Sequence, residues 1–249
     1  MTHQMKHPGP RLDEDHHVHS VFSDGIDTVE ANLAAAQALG LTHLGFVDHV
    51  RKDTTYVASY VAAVTALRNA TDIRLSIGVE AKLLDATGQL DLPSAPLLAG
   101  VDLVYVADHQ FPGNDGPVSP RIIRAEIEAG ARRAEDCVET LVLATIGSMR
   151  MHSARPLVLA HLFSILPKMG LHESDVAEPL LDDIVAVAAS TGTAVEMSER
   201  WRTPSAAFIE RCLRMGVRVV ASTDSHRASD IARYDYVRDI VTGVRMLPA

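Results

Sequence analysis

The sequence predicts an α/β fold, with a parallel sheet of about seven strands closed or nearly closed into a barrel by helical crossovers. Three observations carry this. Short apolar runs that read as strands alternate with segments of helical periodicity along most of the 249 residues. No internal repeat, low-complexity tract or linker divides the chain, so one large domain fits better than two small ones. Most of the apolar runs end in a side chain able to ligate a metal, and parallel α/β barrels gather their working residues at those strand ends. The strand count is one short of an eightfold barrel.

The elements follow in order. A first strand covers 15–19. Asp27 or Thr28 caps a helix over 28–39, and Gly40 stops it. Residues 43–48 read as a buried strand. The helix over 56–69 sets Tyr60, Val61, Val64 and Leu67 on one face. The next strand, 73–80, ends in Gly78-Val79-Glu80. Residues 81–100 are irregular, with turns at Gly88 and from Asp91 to Pro96. Strand 103–107 leads into a loop over 110–118 rich in Gly, Pro, Asn and Asp. A long helical region over 119–151 is expected to break near Gly147. Strand 156–160 runs into His161, helix 175–190 precedes strand 193–197, and helix 204–215 stops at Gly216. Strand 217–222 and a polar turn lead to a closing helix in the last fifteen residues.

Composition narrows the class. Hydrophobic residues make up 47 % of the chain, enough for a substantial core. The formal net charge of −9 argues against a long nucleic acid as partner, and bound divalent cations would offset part of it. Cys137 and Cys212 fall in helical segments and read as buried free thiols. Residues 1–14 are polar, contain two prolines and are expected to form a flexible segment ahead of a single domain over 15–249, with His3 and His7 incidental. No signal-peptide pattern or apolar span suggests a membrane, so a cytoplasmic protein is the expectation.

Chemistry concentrates at the strand ends. In His17-Val18-His19 the imidazoles are two residues apart and would share a face of an extended chain. Asp24 returns a carboxylate to the same region after a turn. His49, Glu80, His109, His161, Glu196, Asp224 and His226 end later strands. Asp224 and His226 repeat the spacing of His17 and His19 on the last strand, which neighbours the first if the barrel closes. Catalytic zinc takes about three protein ligands, so this set implies about two or three ions. Multi-metal sites suit phosphoester hydrolysis, where the ions lower the pKa of bound water and clamp phosphoryl oxygens.

In order and spacing these motifs resemble the PHP (polymerase and histidinol phosphatase) family of metal-dependent phosphoesterases. The resemblance runs from Asp15 to His226. It is carried by Asp-His-His-Val-His-Ser with Ser-Asp-Gly, Val-Asp-His at 47–49, Gly-Val-Glu at 78–80, His109, Ala-His at 160–161 and Asp-Ser-His at 224–226. It implies a distorted seven-stranded TIM-like (β/α) barrel with a trinuclear centre. By position, His17, His19, Glu80 and Asp224 would hold one ion. Glu80 would bridge to a second, completed by His109 and His161. Asp24, His49 and His226 would hold the third. A metal-bridging hydroxide held by Glu80, His17, His19 and Asp224 would be the nucleophile. Leu162 stands where the family often has proline. Asp24 stands where many histidinol phosphatases have histidine, an oxygen ligand that favours manganese or iron over zinc. His16, His43, His152 and His172 match no ligand motif and are expected to be structural or exposed.

Phosphate needs positive partners as well. Arg200 and Arg202 flank Trp201 just past the sixth strand, Arg227 follows His226, and Arg51 and Lys52 follow His49. Arginine suits this role because its fork binds two oxygens, and Trp201 could stack on a substrate ring or pack the loop. Glu196 would accept a hydrogen bond from a ligand histidine or lead the next helix. The reading is a phosphatase, histidinol-phosphatase-like, acting on a small phosphorylated metabolite with zinc, manganese or iron. The alternatives are a phosphodiesterase, an oligonucleotide or nucleotide hydrolase or another hydrolase on the same scaffold, and a non-catalytic metal-holding module.

Overall fold

The computed structural model describes residues 9–245. Seven parallel strands form one sheet. In chain order they are β1 (Glu14–Val18), β2 (His43–His49), β3 (Arg74–Lys82), β4 (Leu103–Ala107), β7 (Leu157–Ala160), β8 (Ala194–Ser198) and β9 (Val219–Ser222). Helices α1 (Val29–Ala38), α2 (Val57–Arg68), α4 (Ala134–Met151), α5 (Glu178–Thr191) and α6 (Ala206–Arg214) make the crossovers, and α7 (Tyr236–Arg245) closes the chain. None of the described helices is long and apolar enough to cross a membrane.

The order β1-β2-β3-β4-β7-β8-β9 is sequential, and the ends meet. Val18 bridges Ser225, and the His19 amide donates to the Ser225 carbonyl at 2.9 Å. Buried Asp15 strengthens this seam by accepting from the Thr223 amide (3.0 Å), the Thr223 hydroxyl (2.5 Å) and the Ala232 amide (3.0 Å). A carboxylate in those bonds takes the place of ladder bonds that β1 and β9 lack. The sequence expectation of a nearly closed barrel agrees with this topology.

Strand β1 contains an irregularity that matters below. Glu14 pairs with His43 and Asp15 with Leu44, but Val18 pairs with Phe46. One extra residue therefore lies on β1 opposite Gly45, as in a β-bulge. An added Cβ at Gly45 would run into the His16 carbonyl, so glycine is required there. The barrel interior is filled by a small apolar layer including Val47, Tyr105, Val158 and Val220, while a larger core lies between sheet and helices.

Two expectations need correction. Residues 110–118 hold an antiparallel hairpin, β5 (Phe111–Gly113) with β6 (Gly116–Val118). Its strands, Phe-Pro-Gly and Gly-Pro-Val, are three residues each and mostly Gly and Pro, so they carry no period-2 signal. The long helical region breaks at Gly130, not Gly147: α3 (Pro120–Glu128) ends there in a left-handed turn and α4 runs unbroken through Gly147. Gly147 is instead a packing site, because a Cβ there would strike the Thr87 carbonyl. Both cysteines are buried and free. His3 and His7, and most of the expected flexible segment, lie outside the described residues.

Candidate metal centre

Glu80 is the centre of the cluster. Strand β3 delivers its carboxylate almost completely buried. Oε1 lies 2.9 Å from His161 Nε2 and 3.2 Å from His109 Nε2. Oε2 faces the other way, 2.9 Å from His49 Nδ1, 3.5 Å from His19 Nε2 and 3.6 Å from His17 Nε2. Asp224 Oδ1 lies 3.1 Å from His19 Nε2. Outside these, Asp24 reaches His226 Nε2 at 3.3 Å, His49 Nε2 at 3.4 Å and His19 Nδ1 at 3.6 Å. All nine residues expected as ligands therefore meet at the C-terminal mouth. Three sets of donor atoms lie within 4.8 Å of one another: His17, His19 and Asp224; His49, Glu80 and His109; and His19, Asp24, His49 and His226.

The donor chemistry fits cations. His17 Nε2 and His19 Nε2 face each other at 3.0 Å, which leaves two nitrogen lone pairs competing for one proton. His19 Nδ1 is buried with no hydrogen-bond partner, and Glu80 Oε2, though 2.9 Å from His49 Nδ1, makes no well-aligned hydrogen bond, a costly state unless another group satisfies them. The field has the matching sign. Burial alone would raise the Glu80 pKa, but hydrogen bonds from His109, His161, His17 and His49 hold it well below the usual carboxylate range. Burial opposes charge on His161, yet Asp108 and Glu80 raise it to about 10. His17 is likewise raised, by Glu196 and Glu80 against burial. Carboxylates that hold protons on buried imidazoles would equally hold divalent ions.

Supporting residues fix the rings. His17 Nδ1 lies 3.0 Å from Glu196 Oε1, while Oε2 accepts from the His161 amide at 2.7 Å. Glu196 thus orients one ring and anchors another, as outer carboxylates do around metal-binding histidines. Sequence reading missed Asp108, Ser164 and Asp48. Ser164 Oγ is 3.0 Å from His161 Nδ1 and donates to Asp108 at 2.6 Å. Asp48 accepts from the Ser20 amide and hydroxyl and from Ser23, which holds the turn that presents Asp24. Asp48 was visible inside the Val-Asp-His motif, but its partners were not.

The loop after β8 divides. Trp201 Nε1 donates to Asp224 Oδ2 at 2.7 Å, and its ring lies 5.5 Å from that of His161. Arg200 Nη1 is 2.8 Å from His226 Nδ1. That nitrogen is also 3.1 Å from the Asp224 carbonyl. The two contacts are alternatives: accepting from Arg200 leaves the proton on Nε2, whereas donating to the carbonyl frees Nε2 to ligate. Arg202 goes elsewhere, its guanidinium 5.4 Å from the Tyr236 ring. Arg227 lines a cavity of about 410 Å³ beside His226. A cavity of about 480 Å³ beside His49 is lined by Arg51 and Lys82 rather than Lys52, whose amide donates to Asp91 at 2.9 Å. Lys168, half-buried, was unforeseen: its Nζ sits 4.1 Å over the Trp201 ring, and burial lowers its pKa.

The chain is similar in fold to a solved structure of a histidinol phosphate phosphatase from Lactococcus lactis subsp. lactis, described as complexed with zinc, L-histidinol and phosphate. The TM-score is 0.68 at 17 % identity, covering 93 % of each chain. A weaker likeness, TM-score 0.41 at 20 % identity, is to an N-isopropylammelide isopropylaminohydrolase from Burkholderia multivorans, covering 78 % of this chain and 49 % of that one. No curated protein sequence matches. The PHP domain model matches residues 15–200. With its ligand-type side chains gathered at one mouth of a seven-stranded barrel, the chain belongs to the PHP domain family.

Proposed function

We propose that the chain is a metal-dependent phosphomonoesterase acting on a small phosphorylated metabolite. The observation that carries this is the convergence of five imidazoles on the two oxygens of buried Glu80. His17, His19, Glu80 and Asp224 would hold one divalent ion, Glu80 with His109 and His161 a second, and Asp24 with His49 and His226 a third. Bound ions of this kind supply a water-derived nucleophile at neutral pH and neutralise phosphoryl oxygens.

The chain's own residues do the rest. Glu196 keeps the His17 Nδ1 proton, so Nε2 presents its lone pair to the centre. Asp108 with Ser164 does the same for His161. Ligation through His226 Nε2 would put a proton on Nδ1 and break its contact with Arg200. The released guanidinium would then face the phosphoryl group. Lys168 and Trp201 form a cationic and aromatic wall on the same side. Histidinol phosphate is the first substrate to try, since the fold neighbour carries L-histidinol and phosphate.

The test is metal analysis of protein purified without chelator, followed by a panel of phosphorylated metabolites with zinc or manganese loaded. More than one metal equivalent and phosphate release are expected. Preference for bis(p-nitrophenyl) phosphate over p-nitrophenyl phosphate would reassign the chemistry to diesters. No release from any member of the panel would reject the reading.

A further inference from the structure

The N-terminal mouth of the barrel carries a second polar cluster. Glu14, His16 and His43 bring ligand-type atoms within 4.8 Å of one another. Both rings are buried, each 4 % exposed, and they meet edge to face at 4.2 Å between centroids. His16 Nε2 is 2.8 Å from Glu14 Oε2, and His43 Nε2 is 3.0 Å from Ser76 Oγ. By donor type alone this triad could take a cation.

Its surroundings favour the opposite charge. Arg74 opens β3 and Arg218 immediately precedes β9. Both line two adjoining cavities, of about 150 and 420 Å³, together with His16 and His43. Neighbouring Arg11 and Arg68 are paired with Asp13 and Asp102. Arg74 and Arg218 have no carboxylate partner among the described residues. Burial pushes His43 down to about 2, and the charges of His16, Arg74 and Arg218 push the same way. A metal ion would meet that repulsion, whereas an anion would relieve it. The cluster is also separate from the metal centre. Strand β2 carries His43 at one end and His49 at the other, about 20 Å apart at the rise of a strand. The apolar layer of Val47, Tyr105, Val158 and Val220 lies in the barrel interior.

We propose that the N-terminal mouth binds a tetrahedral oxyanion of the size of inorganic phosphate, gripped by Arg74 and Arg218 over His16 and His43. Guanidinium forks match two oxygens of such an ion each. The Ser76 hydroxyl is within the same cavity to add a donor. Glu14 lines only the smaller cavity, where it is held by His16 and Arg11, so the ion is placed in the larger one, on the side of Arg74 and Arg218 away from that carboxylate.

The test uses the zinc-loaded full chain and inorganic phosphate, read on the ring resonances of His16 and His43. The His43 ring, six residues along β2 from His49, is the deciding reporter. His16 is read beside it, and because its neighbour His17 belongs to the metal centre, only a His16 shift that the arginine substitutions weaken counts for this mouth. The result is therefore independent of whether the phosphatase reading holds. Both rings should shift on titration. In the Arg74→Gln, Arg218→Gln double variant the apparent affinity should fall at least about tenfold, the expected loss for charge-assisted bonds. Metal content and thermal midpoint should stay at wild-type values. If the double variant does not fold, the two single substitutions decide. Unmoved rings in the wild type, or unchanged affinity in the double variant or in both single variants, would overturn the proposal.

Discussion

Histidines crowd both mouths of this barrel, yet the two ends are electrostatic opposites. At the C-terminal mouth the rings face Glu80, Asp224 and Glu196, and His161 is raised to about 10. At the N-terminal mouth they stand among arginines, and His43 is lowered to about 2. Burial penalises charge in both places, so the difference comes from the neighbours. A count of ligand-type residues would score both clusters as metal sites. The sign of the surrounding charge favours a cation at the first and an anion at the second.

Several substitutions would break or sharpen that contrast. The largest effect is expected from Glu80→Gln. It removes the charge that both faces of the centre share, with several kcal/mol of charge stabilisation at stake. Activity should fall roughly a thousandfold or more in kcat/KM, and metal content should drop with it. His109→Ala should cost less on both measures; equal losses would deny Glu80 its shared role. Next comes Glu196→Gln, which leaves every proposed ligand in place but weakens the hold on His17. Metal affinity should fall about 10- to 100-fold, measured by competition with a chelator. An unchanged affinity would mean that ring orientation is set by packing alone.

Arg200→Ala should keep full metal occupancy and lose about one to two decades in kcat/KM. Loss of metal instead would show that the guanidinium supports His226 rather than substrate. The contrasting mouth is tested by acid. A histidine whose folded pKa is depressed takes up its proton in the unfolded chain first. The stability from keeping His43 neutral is therefore present above its unfolded value of about 6.5 and is lost as pH falls toward its folded value. His43→Gln should flatten the fall in unfolding free energy, measured by urea titration between about pH 6 and pH 4, by up to ~1.4 kcal/mol per pH unit. An identical acid limb would mean the ring charges without penalty. The smallest effect is expected from Arg202→Ala. Its guanidinium lies over Tyr236, so kcat/KM should stay within about twofold of wild type.

The barrel was legible in the sequence because buried parallel strands are continuous apolar runs. Leu103–Ala107 is bounded as expected, and the ligand-type residues follow such runs closely. The hairpin at 111–118 was not legible, since three-residue strands rich in Gly and Pro look like a loop. Lys168 was invisible for a different reason. It follows β7 but stacks on Trp201 after β8, a contact that no local pattern encodes. Arg200 and Arg202 were indistinguishable as text, yet one reaches His226 and the other, on left-handed backbone, lies over Tyr236. Glu14, His16 and His43 matched no ligand motif. Their meeting depends on the pairing of Glu14 with His43 and on the extra residue in β1.

That extra residue has a consequence for inheritance. His16 and His17 are consecutive, yet one ring joins the arginine-flanked cluster and the other joins Glu80. Opposite them Gly45 leaves room for the His16 carbonyl. A single codon change there, to any residue with a side chain, would displace both histidines at once. Position 45 is therefore pleiotropic: one substitution at this glycine, through the His16 backbone, reaches residues of both mouths.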